Sequence, residues 1–162
     1  MTRPVVICID DQREVLAALL KDLAPLEDLF ELIDCESADE AGQLLDELDA
    51  AGRFIALVIA DHVMPGQSGI DFLASIARDE RFCHMRKLLL TGLASHADTI
   101  RAINIAEIDR YIPKPWQPGE LMNTVRYLIT EFIFEVLPDD YLQYSNVLDD
   151  TLVLQEMRRR GN

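Results

Sequence analysis

Positive charge is scarce in this chain of 162 residues: 15 lysines and arginines stand against 29 aspartates and glutamates, a formal charge of −14. That balance disfavours a nucleic-acid backbone as direct partner, because binding there draws on Lys and Arg displacing counterions. Cysteine is sparse too. Cys8, Cys35 and Cys83 have an odd count and no paired spacing, which argues against a disulfide framework and for a reducing, cytoplasmic compartment, with all three thiols as buried filler. No apolar run approaches the roughly 20 residues of a membrane helix, and no basic stretch followed by an apolar one opens the chain, so a membrane partner is not expected. The three histidines, His62, His84 and His96, lack zinc-like spacing. The glycines form neither a phosphate loop ending in Lys-Ser/Thr nor a G-x-G-x-x-G turn, which leaves nucleotide binding without support.

What the chain does have is apolar residues, at 49%, enough for a full core. Val5-Val6-Ile7-Cys8-Ile9 is a β-branched run that ends in Asp10-Asp11, the pattern of a strand buried on both faces. Val15, Leu16, Leu19, Leu20 and Leu23 then recur at helical spacing until Pro25 stops them. Phe30 to Cys35 is strand-like, and Ser37 with Glu40 forms a capping box for a helix to about Ala51. Ile55 to Ala60 is a third strand, ending at Asp61; turn residues Met64 to Gly69 lead to a helix over Ile70 to Arg78. Lys87 to Leu90 is a fourth strand, before Thr91-Gly92 and a helix through Ile103. Arg110 to Ile112 is a short fifth strand, and after Lys114-Pro115-Trp116 a final core helix starts at Pro118.

Five alternations of strand and helix predict an α/β fold with a parallel sheet covered on both faces, since parallel neighbours need helical crossovers. Reactive groups in such sheets gather beyond the carboxyl ends of the strands. Asp10, Asp11, Asp61, Thr91 and Lys114 all fall there. Three carboxylates brought together repel, and a hard oxygen-ligand cation such as Mg²⁺ is the economical remedy. With the acids screened, Asp61 suits the role of carboxylate nucleophile toward a phosphoryl group, with Lys114 neutralising charge and the Thr91 hydroxyl donating to the transferred group.

Asp10-Asp11, Asp61 with Met64-Pro65 and Gly69, Thr91-Gly92, and Tyr111 with Lys114-Pro115 together resemble the response-regulator receiver domain in order and spacing, over about residues 4 to 131. Each motif alone is ordinary: paired acids at a strand end also make solvated turns, and an aromatic beside a strand is more often core than switch. Their joint order is specific. The resemblance implies a flavodoxin-like, doubly wound five-stranded sheet in the order 2-1-3-4-5. It implies a sensor histidine kinase or phosphotransfer protein as donor, and Asp61 as acceptor. Mg²⁺ would be held by Asp11, Asp61 and the backbone carbonyl of Val63, with Asp10 helping mainly through water. The Lys114-Pro115 bond would be cis, and Tyr111 with Thr91 would form the switch. The output would be a downstream protein contact across the fourth helix, fifth strand and fifth helix, with no catalysis beyond the module's own phosphoryl transfer and dephosphorylation. Two positions that influence attacking water in the family are Val63 and Leu93; both are apolar here, so slow self-dephosphorylation is expected.

Residues 132–162 read as a C-terminal helical extension or linker after a receiver of residues 1–131. The fifth helix has two apolar stripes, Leu121, Val125, Leu128, Phe132 and Met122, Ile129, Ile133, Val136. Pro138-Asp139-Asp140 marks a break, and Tyr141 to Arg160 reads as one further helix that covers the spare stripe or joins two subunits into a homodimer. Two other functions compete with this reading. A haloacid-dehalogenase-like phosphatase also uses a strand-end aspartate, but its two acids are separated by one residue, whereas Asp10 and Asp11 are adjacent. A phosphate-independent, receiver-like adaptor would not need the intact acceptor, acids, threonine and lysine.

Overall fold

The computed structural model describes residues 2–92 and 95–161. Five strands, β1 (Val5–Ile9), β2 (Glu31–Cys35), β3 (Ile55–Ala60), β4 (Arg86–Thr91) and β5 (Arg110–Pro113), pair in parallel in the order β2-β1-β3-β4-β5. This is the doubly wound, flavodoxin-like arrangement that the receiver-domain resemblance implies. Helices α1 (Arg13–Leu23) and α5 (Pro118–Val136) cover one face, and α2 (Ala38–Ala50), α3 (Gly69–Ala77) and α4 (His96–Asn104) the other.

The strands divide their side chains between two cores with the period of two that a pleated backbone imposes. On β1, Val6 and Cys8 join Leu16, Leu19 and Leu23 of α1 and Leu121, Val125 and Leu128 of α5. Val5, Ile7 and Ile9 instead meet Leu45 and Leu48 of α2 and Ile70, Leu73 and Ile76 of α3. Every residue of β1 and β3 is buried, which is why both read as continuous apolar runs. One irregularity interrupts the register: Val5 lies opposite Ile55 but Val6 lies opposite Leu57.

A capping box places the start of α2 where the sequence predicts it. Ser37 Oγ accepts from Glu40 N at 3.1 Å ahead of α2, and Glu40 Oε2 accepts in return from Glu36 N at 2.9 Å. Pro25 stops α1 at Leu23, although a 3₁₀ turn over Ala24–Leu26 carries the chain one step further.

The extension departs from the expected single helix. A 3₁₀ segment, Pro138–Tyr144, is followed by an irregular stretch, and α6 spans only Asp150–Arg160. The break has two causes on one residue. The Asp149 N–H donates to Thr130 Oγ1 on α5 at 2.8 Å, and Asp149 Oδ1 accepts from Leu152 N at 2.9 Å, capping α6 where it begins. The spare stripe of α5 is indeed covered: Ile129 and Ile133 are buried together with Tyr144, Val147 and Leu148, and α5 runs unbroken past position 131. The Tyr144 ring lies 5.5 Å from that of Phe30, between α1 and β2. The cysteine expectation also needs correction. Cys8 and Cys35 are buried, but Cys83 is exposed, because it follows the 3₁₀ turn Glu80–Phe82 that feeds β4 from the surface.

Candidate phosphoacceptor site

The backbone at the carboxyl end of the sheet continues its ladder one residue beyond the strands. Asp10 N donates to Cys35 O at 3.1 Å, Asp61 N to Ile9 O at 3.0 Å, and Lys114 N to Thr91 O at 3.2 Å. These bonds bring residues far apart in sequence to one edge. The carboxylates of Asp10, Asp11 and Asp61 each offer an oxygen within 4.8 Å of the others. Asp10 and Asp61 are only 2% and 8% exposed, while Asp11 faces solvent.

Lys114 Nζ approaches Asp10 Oδ2 at 2.5 Å and Asp61 Oδ1 at 3.5 Å. Asp61 Oδ1 also accepts from the His62 N–H at 2.9 Å, and Asp10 Oδ1 from the Gln12 N–H at 2.9 Å. Thr91 is buried at the end of β4, and Asp11, Gln12, Asp61, Val63, Thr91, Gly92 and Lys114 line an open cleft of about 320 Å³. Three carboxylates against one ammonium leave negative charge in a partly desolvated place, which suits a divalent, oxygen-seeking cation. The donor set therefore fits Mg²⁺.

The loop after Asp61 is shaped by a close approach. His62 O accepts from Gly69 N at 2.9 Å, and a Cβ at Gly69 would lie 1.8 Å from the Asp61 carbonyl oxygen. Only glycine lets α3 start so near the strand end. Ser68 Oγ then caps α3 through Asp71 N at 3.2 Å. The Lys114-Pro115 peptide is cis. Tyr111 is half-buried against the α2, α3 and α4 side, and its hydroxyl donates to Thr91 O at 3.3 Å.

Every site residue predicted from the sequence and lying among the described residues gathers at this edge; Leu93 lies outside them. Two neighbouring contacts carry no sequence signal. Trp116 donates through Nε1 to Asp22 Oδ2 on α1 at 2.8 Å. His62 has a largely covered ring whose Nε2 lies 3.7 Å from Asp98 Oδ2 in the first turn of α4. Neither pairing leaves a local sequence signal, since the partners are far apart along the chain.

A family model for the response regulator receiver domain matches residues 6–126. The hydrogenase transcriptional regulatory protein HoxA of Cupriavidus necator is 32% identical over 124 residues, covering 76% of this chain but 24% of that protein. The transcriptional regulatory protein CpxR of Escherichia coli is 30% identical over 158 residues, covering 97% of this chain and 63% of CpxR. The chain thus spans about a quarter to under two thirds of these relatives. Among solved structures, the signal receiver domain of an HD domain-containing protein from Pseudomonas fluorescens superposes with a TM-score of 0.72 at 32% identity, over 83% of this chain and 93% of that one. A CheY-like receiver domain protein from Methanospirillum hungatei has a TM-score of 0.69 at 23% identity over 83% and 99%, a likeness of fold. The parallel sheet and the strand-end cluster define the class, and the chain belongs to the response regulator receiver domain family of two-component systems. Among the described residues, no helix is long and apolar enough to cross a membrane.

Proposed function

We propose that the chain is a phosphorylation switch in which Asp61 accepts a phosphoryl group from the phosphohistidine of a sensor kinase or phosphotransfer protein. The reading is carried above all by the reach of one ammonium, Lys114 Nζ, to both Asp10 and Asp61 in an open cleft. The His62 N–H and Lys114 hold Asp61 Oδ1, so Oδ2 is the oxygen that attacks phosphorus as the phosphorus–nitrogen bond of the donor breaks. Asp10, Asp11, Asp61 and the Val63 carbonyl would hold Mg²⁺, which when bound screens the carboxylates and neutralises charge on the transferring group. Lys114 then balances the phosphoryl charge, and the Thr91 hydroxyl donates to it. Movement of Thr91 toward the phosphoryl group carries its carbonyl along, and the Tyr111 hydroxyl bonded there would report the change to the surface of α4, β5 and α5.

The output is contact with a downstream protein, without direct nucleic-acid binding, in the cytoplasm, and without turnover of any outside substrate. Exposed, apolar Val63 gives water no polar side-chain partner near the acyl phosphate, which favours slow self-dephosphorylation. Trp116, the sole tryptophan, lies two residues beyond Lys114 and supplies a built-in probe. Its fluorescence should change on adding Mg²⁺ and again on adding beryllofluoride, and the second change should vanish in Asp61→Asn. A beryllofluoride response retained by Asp61→Asn would contradict the assignment.

A further inference from the structure

Helix α6 is anchored on one side and exposed on the other. Its inner side meets α5: Leu152 is buried, Asp149 bonds Thr130, and Arg160 both donates to the Phe134 carbonyl and stacks over the Phe134 ring at 5.6 Å. Its outer side carries Asp150, Leu154, Met157 and Arg158, which share one stripe of an α-helix because they recur at intervals of three and four residues. Leu154 is 55% exposed and Met157 46%. The Tyr141 hydroxyl lies 3.6 Å from the Met157 sulfur, which ties this flank of α6 to the 3₁₀ segment.

The charges on this stripe are self-complementary. Asp150 lies four residues before Leu154 and Arg158 four residues after it. Neither has an ion-pair partner among the described residues, whereas Arg159 and Arg160 are both engaged by Glu156. A two-fold axis through Leu154 would pack two α6 helices antiparallel. Leu154 would then meet Leu154 of the second copy, and Asp150 and Arg158 of each copy would meet Arg158 and Asp150 of the other. An isologous contact demands this self-matching of one patch. The helix dipoles also oppose, and the arginine-rich end of one helix meets the acidic end of its mate. In a parallel pairing, like charges would face each other.

We infer that the outer stripe of α6 is a homodimer contact in which two copies pack α6 antiparallel about Leu154. The inference does not depend on the phosphoacceptor reading, since none of its residues lies at the site. One short helix per copy covers less than the roughly 1,200 Å² of a standard interface, so the dimer is weak and its formation depends on protein concentration. Added salt weakens it further by screening the two ion pairs.

Sedimentation equilibrium of the full chain over a range of concentrations tests this directly. The wild type should shift reversibly from monomer toward dimer, and Leu154→Glu should raise the dissociation constant by about tenfold or more. Asp150→Arg and Arg158→Asp should each weaken the dimer, and the double exchange, Asp150→Arg with Arg158→Asp, should restore it. All four variants change exposed positions, so an unchanged circular dichroism spectrum and, at a concentration where the wild type is monomeric, a thermal midpoint within a few degrees of it are expected and confirm that folding is intact. A chain that stays monomeric at every concentration overturns the inference. So does a dimer indifferent to Leu154→Glu, or a double exchange no tighter than either single one.

Discussion

Lys114 Nζ sits 2.5 Å from Asp10 Oδ2, the closest ion pair at the carboxyl edge of the sheet, and joins the ends of β1 and β5 across the cleft. Asp10 is almost wholly buried, and Lys114 is the cation that faces its carboxylate. Breaking a buried pair by removing one member is costly because the other charge is left uncompensated, by about 3 kcal/mol or more. Lys114→Ala should therefore lower the urea midpoint in metal-free buffer, and Mg²⁺ should recover part of the loss. A variant as stable as the wild type without Mg²⁺ would show that Asp10 does not rely on Lys114.

Gly69 is a steric requirement of the acceptor loop. With its Cβ position 1.8 Å from the Asp61 carbonyl oxygen, Gly69→Ala must push α3 away from β3. Overpacking of this kind costs about 1–3 kcal/mol. Chemical denaturation should show a loss at the upper end of that range, accompanied by amide shifts over Asp61 to Ile70 in a nuclear magnetic resonance spectrum. Gly119→Ala, where a Cβ meets nothing within 4 Å, is the control and should cost little.

The extension shares the main core rather than trailing from it. Tyr144 is 2% exposed and packs against Phe30. Truncating a large buried aromatic costs about 3–5 kcal/mol, so Tyr144→Ala should destabilise the whole chain. The unfolding curve should remain a single transition, followed equally by Trp116 fluorescence and by far-ultraviolet circular dichroism. Two separated transitions would mean that the extension folds on its own.

Much of this architecture was legible because it is local. Val5 to Ile9 and Ile55 to Ala60 are apolar throughout and end in acids, so both the burial of the strands and the chemistry at their ends could be read from the letters. The extension resisted the same reading. Tyr144, Leu148 and Leu152 are spaced by four, which suits one helix, yet Tyr144 is drawn toward Phe30 and Asp149 toward Thr130. Those long-range partners, absent from the local pattern, divide the segment into a 3₁₀ turn and α6. The Trp116–Asp22 bond and the His62–Asp98 approach went unread for the same reason.

Glu131 and Glu135, one turn apart on α5, respond to pH in opposite senses. Burial pushes Glu131 above the ordinary carboxylate range; Asp109 and Glu135 add to this and Arg86 opposes it. Burial also pushes Glu135 up, but hydrogen bonds from Arg86 and His84 outweigh it and hold the group below its ordinary value. A raised carboxylate binds its proton more readily in the folded chain, so its stabilising effect is complete below 4.5, its ordinary value, and is lost as pH rises through the folded value. A lowered carboxylate contributes above 4.5, and that contribution is lost as pH falls through the folded value. At neutral pH Glu135→Gln should destabilise and Glu131→Gln should be neutral or stabilising. Urea unfolding at neutral pH and in acid should show both differences shrinking as pH falls below the carboxylate range.

The central claim, that Asp61 is the phosphoryl acceptor, is tested most directly by intact-mass spectrometry after incubation with acetyl phosphate and Mg²⁺. The wild type should gain the mass of one phosphoryl group, with peptide mapping placing it on Asp61, and Asp61→Asn should gain none. Equal labelling of Asp61→Asn, or a wild type that stays unlabelled while folded and Mg²⁺-bound, would contradict the account.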